Sequence, residues 1–531
     1  MAVKSLYTDE LWQRYYDKVV DGKEEFVIKK YPQLDFFFDF QNDSEKIKQL
    51  VSDVSLNAIA NHSFLPFVKI LTKTPRFRYQ ETEKQYALDT KIRPIAFASH
   101  FDTYIYGFYA FALNEKYQEY ITSNKFDECI LAYRTDLEGK CNIQFAKEVF
   151  DIVQQRIKNK KSCSAIAIDI TGYFDNIDHT ILKEKWHKIL GLPVLPIDQY
   201  KVFRSLTKYS YISKNSILKH FQINLDKYDK HWQSLLDLIP DSIAGSTFKE
   251  KFNLLRKRKL IVTNKEKINK TDGTIEHRGI PQGSAMSAVL SNIYLIDFDN
   301  WLKEQSIKLD FTYRRYCDDI IIICNTSDAT DINKKLVEEI EKYKVTIQRK
   351  KTELIEFKAN SKGVIRAFNK SKIIKNNPII NSQNEQQYYK NLQYLGFEFN
   401  GQNIYIRPGS LSRYYRKMKG RIIKSIMMSY SNKSKKDKIL KKQIFERYSH
   451  LGKRNFLSYA INSSKEFYSN SKGIKKEGMN SLSIKRQLIS HFSIMEQSIN
   501  NKSFQRYELK VIKRNAKIEA GKRVKEVIYK E

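Results

Sequence analysis

Paired cysteines, an export signal and long apolar runs are all missing from this 531-residue chain. The five cysteines, Cys129, Cys141, Cys163, Cys317 and Cys324, are odd in number and include no C-x-x-C pair, which argues against a disulfide framework and a zinc ribbon. A reducing cytoplasm is the expected setting. The opening MAVKSLYTDE shows no basic region followed by an apolar one, and no apolar stretch reaches the ~20 residues that cross a bilayer, so neither export nor a membrane partner is expected. Negative charge is scarce as well, with 60 Asp and Glu against 94 Lys and Arg and a formal net charge of +34. An excess of that size fits a polyanionic partner, nucleic acid first, or a generally basic composition, and charge alone does not choose between them. What is present is apolar material: 41% hydrophobic and 13% aromatic residues suffice for several domains or subdomains.

No solenoid-length repeat organises the chain. Residues 1–90 mix aromatics and charges without clear punctuation and are expected to form an N-terminal extension, with a helix over Leu11 to Val20 from its apolar spacing. From Lys91 to about Phe399, short β-rich runs alternate with helical patterns, the signature of an α/β or α+β catalytic body. Within it, Trp186 to Lys270 is expected to add peripheral helices, and the polar stretch Asn360 to Asn391 to be an inserted loop. Beyond Arg407 the pattern is helical, with Leu411, Tyr415, Met418, Ile422 and Ile426 on one face and Arg413, Arg416, Lys417, Lys419 and Lys424 on the others.

Two segments carry the chemistry. In Ser164-Ala-Ile-Ala-Ile-Asp-Ile-Thr-Gly-Tyr-Phe-Asp175, isoleucines alternate with alanines and Asp169 as a strand requires. Asp169 therefore leaves the face opposite the isoleucines. A carboxylate ending an apolar strand either meets a cation or caps the following turn. In Phe311-Thr-Tyr-Arg-Arg-Tyr-Cys-Asp-Asp-Ile-Ile-Ile-Ile-Cys324, two β-prone runs meet at Asp318-Asp319, which predicts a hairpin with carboxylates at its tip. Adjacent negative charges beside an apolar run call for a divalent metal, unless the tip is simply a solvated turn.

Tyr316-Cys-Asp-Asp319 resembles the Y-x-D-D box of reverse transcriptases, and Asp169 to Phe174 resembles their D-x-x-x-x-F box. Other blocks follow in the order of that family. Lys91-Ile-Arg-Pro-Ile with Tyr106 to Tyr117, and Ala132-Tyr-Arg134, are similar to the two fingers blocks of group II intron and retron enzymes. Arg278-Gly-Ile-Pro-Gln-Gly-Ser-Ala-Met-Ser-Ala-Val-Leu-Ser-Asn292 resembles the block that packs on template and incoming nucleotide. Ile347-Gln-Arg-Lys-Lys-Thr-Glu-Leu354 resembles the lysine-bearing block, and Leu392-Gln-Tyr-Leu-Gly-Phe-Glu-Phe399 the primer grip. Seven blocks in one order leave chance similarity negligible.

The resemblance implies an α+β right-hand polymerase with fingers and palm over 91–405, the palm an antiparallel sheet with helices, and a basic helical thumb and C-terminal region over 406–531. It implies that Asp169, Asp318 and Asp319 are catalytic, holding two Mg²⁺ ions together with the Ile170 carbonyl, with Mn²⁺ an alternative. Phe174 falls where the family places its steric gate against ribose; a core aromatic is the plainer reading. Arg93 would clamp the triphosphate, with Arg134 a weaker candidate, while Gln282 would contact the nucleotide and Lys351 would protonate pyrophosphate. Arg413 and Lys417, and Arg454 in the basic and aromatic segment Arg447 to Phe456, would follow nucleic-acid phosphates or simply face solvent. The partners implied are an RNA template, a DNA product and deoxynucleoside triphosphates. No H-N-H or cysteine pattern of an endonuclease follows the thumb, unlike in full mobile-intron enzymes. The layout is more like the defence-associated, abortive-infection reverse transcriptases of bacteria. That likeness implies antiviral defence, a dedicated noncoding RNA, homo-oligomerisation and priming from a protein hydroxyl. An intron maturase or retron-type enzyme, and a non-catalytic RNA-binding scaffold on the same fold, are the alternatives.

Overall fold

A computed structural model describes residues 6–20, 33–80, 83–137, 139–159, 162–223, 234–264, 267–268, 275–348, 352–430, 439, 441–452, 454–470 and 473–528. The chain begins with the helix Asp9–Val20, as its apolar spacing predicts, and Trp12 and Tyr15 are its buried side chains. Next comes a long hairpin, β1 (Phe67–Gln80) and β2 (Gln85–Phe97), paired without interruption from Val68↔Phe97 to Gln80↔Gln85. It straddles residue 90, so residues on both sides of that point share one sheet.

The helix His100–Ser123 follows and is buried on nearly every side. Its first amides are met by carboxylates and a hydroxyl: Asp35 accepts from the His100 and Phe101 amides at 2.8 and 2.9 Å, and Ser99 Oγ accepts from Asp102 N at 3.1 Å. Then come β3 (Cys163–Asp169), β4 (Ser210–Ser213) and β5 (Ile261–Thr263). β4 runs parallel to β1 and pairs with β5, completing a fingers sheet in the order β2-β1-β4-β5. Thus Trp186 to Lys270 contributes two fingers strands besides the helices expected there.

The palm sheet adds β6 (Thr312–Tyr316), β7 (Asp319–Cys324), β8 (Glu353–Ala359) and β9 (Ile365–Asn369), in the order β9-β8-β3-β7-β6, antiparallel throughout. Both its faces are covered. Ile166, Ile168, Ile320 and Ile322 pack with Leu290, Ile293 and Phe298 on one side, while Ala165, Ile321, Ile323, Ile355 and Phe357 pack with Phe145, Phe150, Phe397 and Phe399 on the other. Double coverage explains why the sequence of β7 is an unbroken apolar run rather than an alternation. β9 corrects one expectation. Asn360 to Asn391 is not a structureless insertion: β9 pairs with β8 from Ile355↔Asn369 to Ala359↔Ile365, and a short helix, Lys370–Asn376, follows. The segment reads as loop because an edge strand buries little.

A meander of β10 (Leu392–Tyr394), β11 (Phe397–Phe399) and β12 (Ile404–Ile406) leads into the helix Pro408–Ser429. That helix buries Met418, Ile422 and Ile426 against Ile444, Met495 and Ile499. Tyr415 packs against that stripe, half-buried, as its spacing predicts, and the neighbouring Tyr414 is buried as well, stacked on Phe456 with ring centroids 4.6 Å apart. The whole is an α+β right hand with fingers, palm and a helical thumb. No described helix is long and apolar enough to cross a membrane.

Candidate active site

Strand register brings the acidic residues together. β3 and β7 pair from Ser164↔Cys324 to Asp169↔Asp319, so two carboxylates end the ladder side by side. The Ile170 amide donates to the Asp318 carbonyl at 3.1 Å. Asp169 and Asp319 are thus a non-hydrogen-bonded pair, the arrangement in which facing side chains approach most closely. The Ile170 carbonyl lies on the same edge as its amide, and no described residue donates to it.

Asp318 occupies a two-residue loop closed by Tyr316 opposite Asp319. Cys317, the first loop residue, has φ +58°, whereas Asp318 is not in the left-handed region. That is the pattern of a type II′ turn, whose first position favours glycine, so the cysteine costs about 1–3 kcal/mol. A buried brace holds the turn in place. Arg315 donates to the Cys317 carbonyl at 3.1 Å, to Asn292 Oδ1 at 3.3 Å and to Asp299 Oδ1 at 2.8 Å. The Arg315 and Asp299 side chains are both 0% exposed, and the Tyr313 hydroxyl donates to Asp299 at 2.6 Å. The Asp299 carboxylate keeps the Arg315 guanidinium charged despite its burial.

Burial raises the Asp318 carboxyl above the ordinary range, the neighbouring Asp169 charge adds to the rise, and Lys91 opposes it. Lys91 is on β2 opposite Thr74. Arg93 and Ile95 follow at two-residue intervals and so share its face. Ile95 lines a cavity of about 630 Å³ whose walls also include Tyr133, Phe174, Gln282, Gly283 and Ser284. Arg93 is thereby held between the cation that acts on Asp318 and the wall of the cavity. Fingers and palm meet at Gly283, where φ is +124° and an added Cβ would come 2.7 Å from the Ala96 carbonyl oxygen. The Ala96 amide donates to the Gln282 carbonyl at 2.8 Å, a backbone contact only glycine next door allows.

The donor set fits a hard divalent cation. It comprises carboxylate and carbonyl oxygens, with a raised carboxyl that a cation would hold ionised. Among the described residues, no three His, Cys, Asp or Glu side chains form a ready-made cage. An ion here would complete its shell with the Ile170 carbonyl, water and substrate phosphate, as Mg²⁺ commonly does. Asp319 also acts on the buried Tyr394 of β10, whose hydroxyl is pushed up by burial first and by that charge second.

The other sequence candidates divide. Phe174 and Gln282 line the cavity together. Arg134 does not reach it as a free cation: its side chain bonds Asp136 and the Asp127 carbonyl. Lys351 lies outside the described residues. Arg413 is half-buried and donates to Ser410 Oγ at 3.1 Å, while Lys417 and Arg454 are exposed; all three are on the thumb, away from the cavity. The Arg416 side chain meets the Pro75 carbonyl of the fingers hairpin at 3.5 Å, so the thumb helix reaches across to the fingers. Sequence reasoning missed Lys91, Tyr133 and the Arg315–Asp299 brace. Only Lys91 had a usable signal, its two-residue spacing from Arg93.

Residues 221–399 match the family model described as reverse transcriptase (RNA-dependent DNA polymerase). A domain of that type is therefore present over roughly a third of the chain; the match takes in Asp318 and Asp319 and begins after Asp169. No curated protein matches the chain. Among solved structures, it is similar to apo telomerase from Candida tropicalis truncated from its C-terminal domain, with 11% identity, coverage of 70% of this chain and 61% of that one, and a TM-score of 0.34. It is also similar to telomerase from Candida albicans in complex with a TWJ fragment of telomeric RNA, with 12% identity, coverage of 89% and 64%, and a TM-score of 0.34. The chain spans less than two thirds of the length of both telomerases.

Proposed function

We propose that the chain is an RNA-directed DNA polymerase that adds deoxynucleotides to a primer on an RNA template. The observation that carries this reading is the end of the palm ladder, where Asp169 faces Asp319 and Asp318 caps the adjoining hairpin. Asp169, Asp318 and the Ile170 carbonyl hold two Mg²⁺ ions, or Mn²⁺ in their place, and Asp319 completes the acidic cluster. When bound, such a pair activates the primer 3′-hydroxyl and neutralises the leaving pyrophosphate. Lys91 and Arg93, on one face of β2, bind the triphosphate, the arginine by its planar fork. Gln282 and the Gly283 backbone pack on the new base pair, and Phe174 crowds the 2′ position of the sugar, favouring deoxynucleotides. Lys351 serves as proton donor to pyrophosphate. Arg413, Lys417 and Arg454 contact the duplex backbone, the thumb region beginning at about residue 406.

The finer role we propose is bacterial antiviral defence, with a dedicated noncoding RNA. Its support is the layout: 90 residues precede the first fingers block, and well over a hundred follow the primer-grip-like hairpin. A non-catalytic scaffold is disfavoured by the intact set of Asp169, Asp318 and Asp319 at the end of the palm ladder.

The test is primer extension by the purified chain on an RNA template with deoxynucleotides and Mg²⁺. Templated DNA synthesis that Asp318→Asn abolishes is the expected result. Synthesis that survives Asp318→Asn and Asp169→Asn alike would remove the reading.

A further inference from the structure

Past its first residues the fingers hairpin is a ribbon of two strands. β1 pairs with β4 at Phe67, Val68 and Lys69, and from Ile70 onward the described pairing is with β2 alone. A two-stranded ribbon is marginal in water, and an open edge presents a row of unused backbone donors and acceptors. The thumb crosses the β1 edge, where Arg416 meets the Pro75 carbonyl. β2 is the outer strand of its sheet.

The Ala96 amide donates to the Gln282 carbonyl, away from β1. Alternation then turns the amides and carbonyls of Leu88, Thr90 and Ile92 outward as well. Pro94 shares that parity, where a missing N–H costs no bond to β1, and Pro75 stands opposite Thr90 on the same terms. Among the described residues, no backbone bond meets the outward groups of Leu88, Thr90 or Ile92. The face that carries these three is apolar and bare: Leu88 is 60% exposed, Ile92 51%, and Leu71, opposite Pro94, 42%. The other face carries Asp89, Lys91 and Arg93, with Arg76 opposite Asp89.

We propose that this edge is an interface between two copies of the chain, in which β2 pairs antiparallel with β2 of the second copy about a two-fold axis at Thr90. An open edge takes an extended strand, and this one asks for apolar side chains beside Leu88 and Ile92 and for charges beside Asp89 and Lys91. β2 is itself such a strand. With Thr90 on the axis, Leu88 lies opposite Ile92 of the second copy and Asp89 opposite Lys91 of the second copy, each pair occurring twice by symmetry. The charged pairs fall at non-hydrogen-bonded positions of the new ladder, where side chains approach most closely. Other registers are worse. An axis at Asp89 or at Lys91 sets like charges face to face, and an axis at Ile92 sets Thr90 against Pro94, which has no amide to give. An axis at Leu88 puts Asp89 opposite Ala87 and leaves the charges unmatched. The two fingers sheets thereby become one. The inference stands on the hairpin and is independent of the polymerase reading.

Cysteine cross-linking of the full chain tests the axis. Directly opposed residues of a hydrogen-bonded antiparallel pair lie about 5.5 Å apart at Cα, within disulfide reach. Under mild oxidation Thr90→Cys is expected to give mainly disulfide-linked dimer on a non-reducing gel. Leu88→Cys alone should stay mainly monomeric, because its opposite number is Ile92, and should link when mixed with Ile92→Cys. In sedimentation equilibrium the unaltered chain should show a monomer–dimer equilibrium that Asp89→Lys weakens roughly tenfold, since both charge pairs turn repulsive. Thr90→Pro should abolish the dimer and leave thermal unfolding of the monomer unchanged, because Thr90 gives no ladder bond to β1. A chain that is monomeric at every soluble concentration would overturn the proposal, including one whose edge is filled by a strand of another protein. So would a dimer that both Asp89→Lys and Thr90→Pro leave intact, or equal cross-linking by Leu88→Cys and Thr90→Cys.

Discussion

The palm hairpin and the thumb helix both carry charge, but the palm buries its ion pair while the thumb leaves its cations in water. Arg315 and Asp299 are wholly buried, and together with Asn292 they fix the carbonyl of a strained turn. Lys417 and Lys419 are exposed on the helix Pro408–Ser429, whose opposite face is held by Met418, Ile422 and Ile426. Geometry is decided where charge is desolvated, because a misplaced buried charge costs several kcal/mol. Exposed charge is screened within about 8 Å at physiological salt and sets attraction rather than position. On the function proposed above, the palm would place atoms and the thumb would hold a polyanion. Substitutions should separate the two cleanly.

The largest effect is expected at Asp318. Asp318→Asn should lower the rate of nucleotide addition about 10³-fold or more, equivalent to ~4 kcal/mol in the barrier. Its melting temperature should stay the same or rise, since a half-buried carboxyl beside Asp169 no longer has to ionise. A marked loss of stability in thermal unfolding would mean that Asp318 holds the fold rather than serving chemistry. Next is the brace. Arg315→Met should destabilise the protein by about 3–5 kcal/mol in urea unfolding, because Asp299 is left buried and unpaired. Adding Asp299→Leu should restore much of that loss while the acidic hairpin stays misplaced and activity stays low. If the double variant regains full activity, the brace does not position the turn. Third comes the sugar gate. Phe174→Ala should reduce discrimination against ribonucleotides about 10–100-fold, roughly 1.4–2.7 kcal/mol, in single-nucleotide primer extension. Unchanged discrimination would return Phe174 to a packing role.

These expectations rest unequally on the sequence. The acidic ladder end was legible because strand alternation fixes which face each residue takes, and the isoleucine run left Asp169 only one face. The hairpin tip was legible too, although nothing local announced Cys317 in a position that favours glycine, since the compensating contacts come from Asn292 and Asp299, well upstream. Arg134, the weaker candidate for the triphosphate, carries partners the sequence did not announce. The resemblance alone suggested it as a phosphate ligand, and Asp127 and Asp136 meet its guanidinium. β9 was invisible because edge strands need little apolar content. In the thumb, spacing found the apolar stripe, Tyr415 included, and did not show that Tyr414 is buried as well, because that depends on Phe456 and His491 from other helices.

The thumb provides the smallest effect and the sharpest contrast. Lys417→Gln and Arg454→Gln should each weaken binding of a primer–template duplex only a few fold at physiological salt. Each should also reduce the slope of log affinity against log salt by about one, because one phosphate contact releases roughly one counterion. Arg413→Gln should do less, because Arg413 is half-buried and already donates to Ser410. None of the three should alter sugar discrimination or the rate of addition at saturating duplex, since exposed cations track the backbone without placing the reacting atoms. Duplex titrations at several salt concentrations, read beside single-turnover rates, decide the matter. A thumb substitution that changed the saturated rate while leaving the salt slope intact would show that the thumb also positions the primer end, and the division between placing and holding would fail.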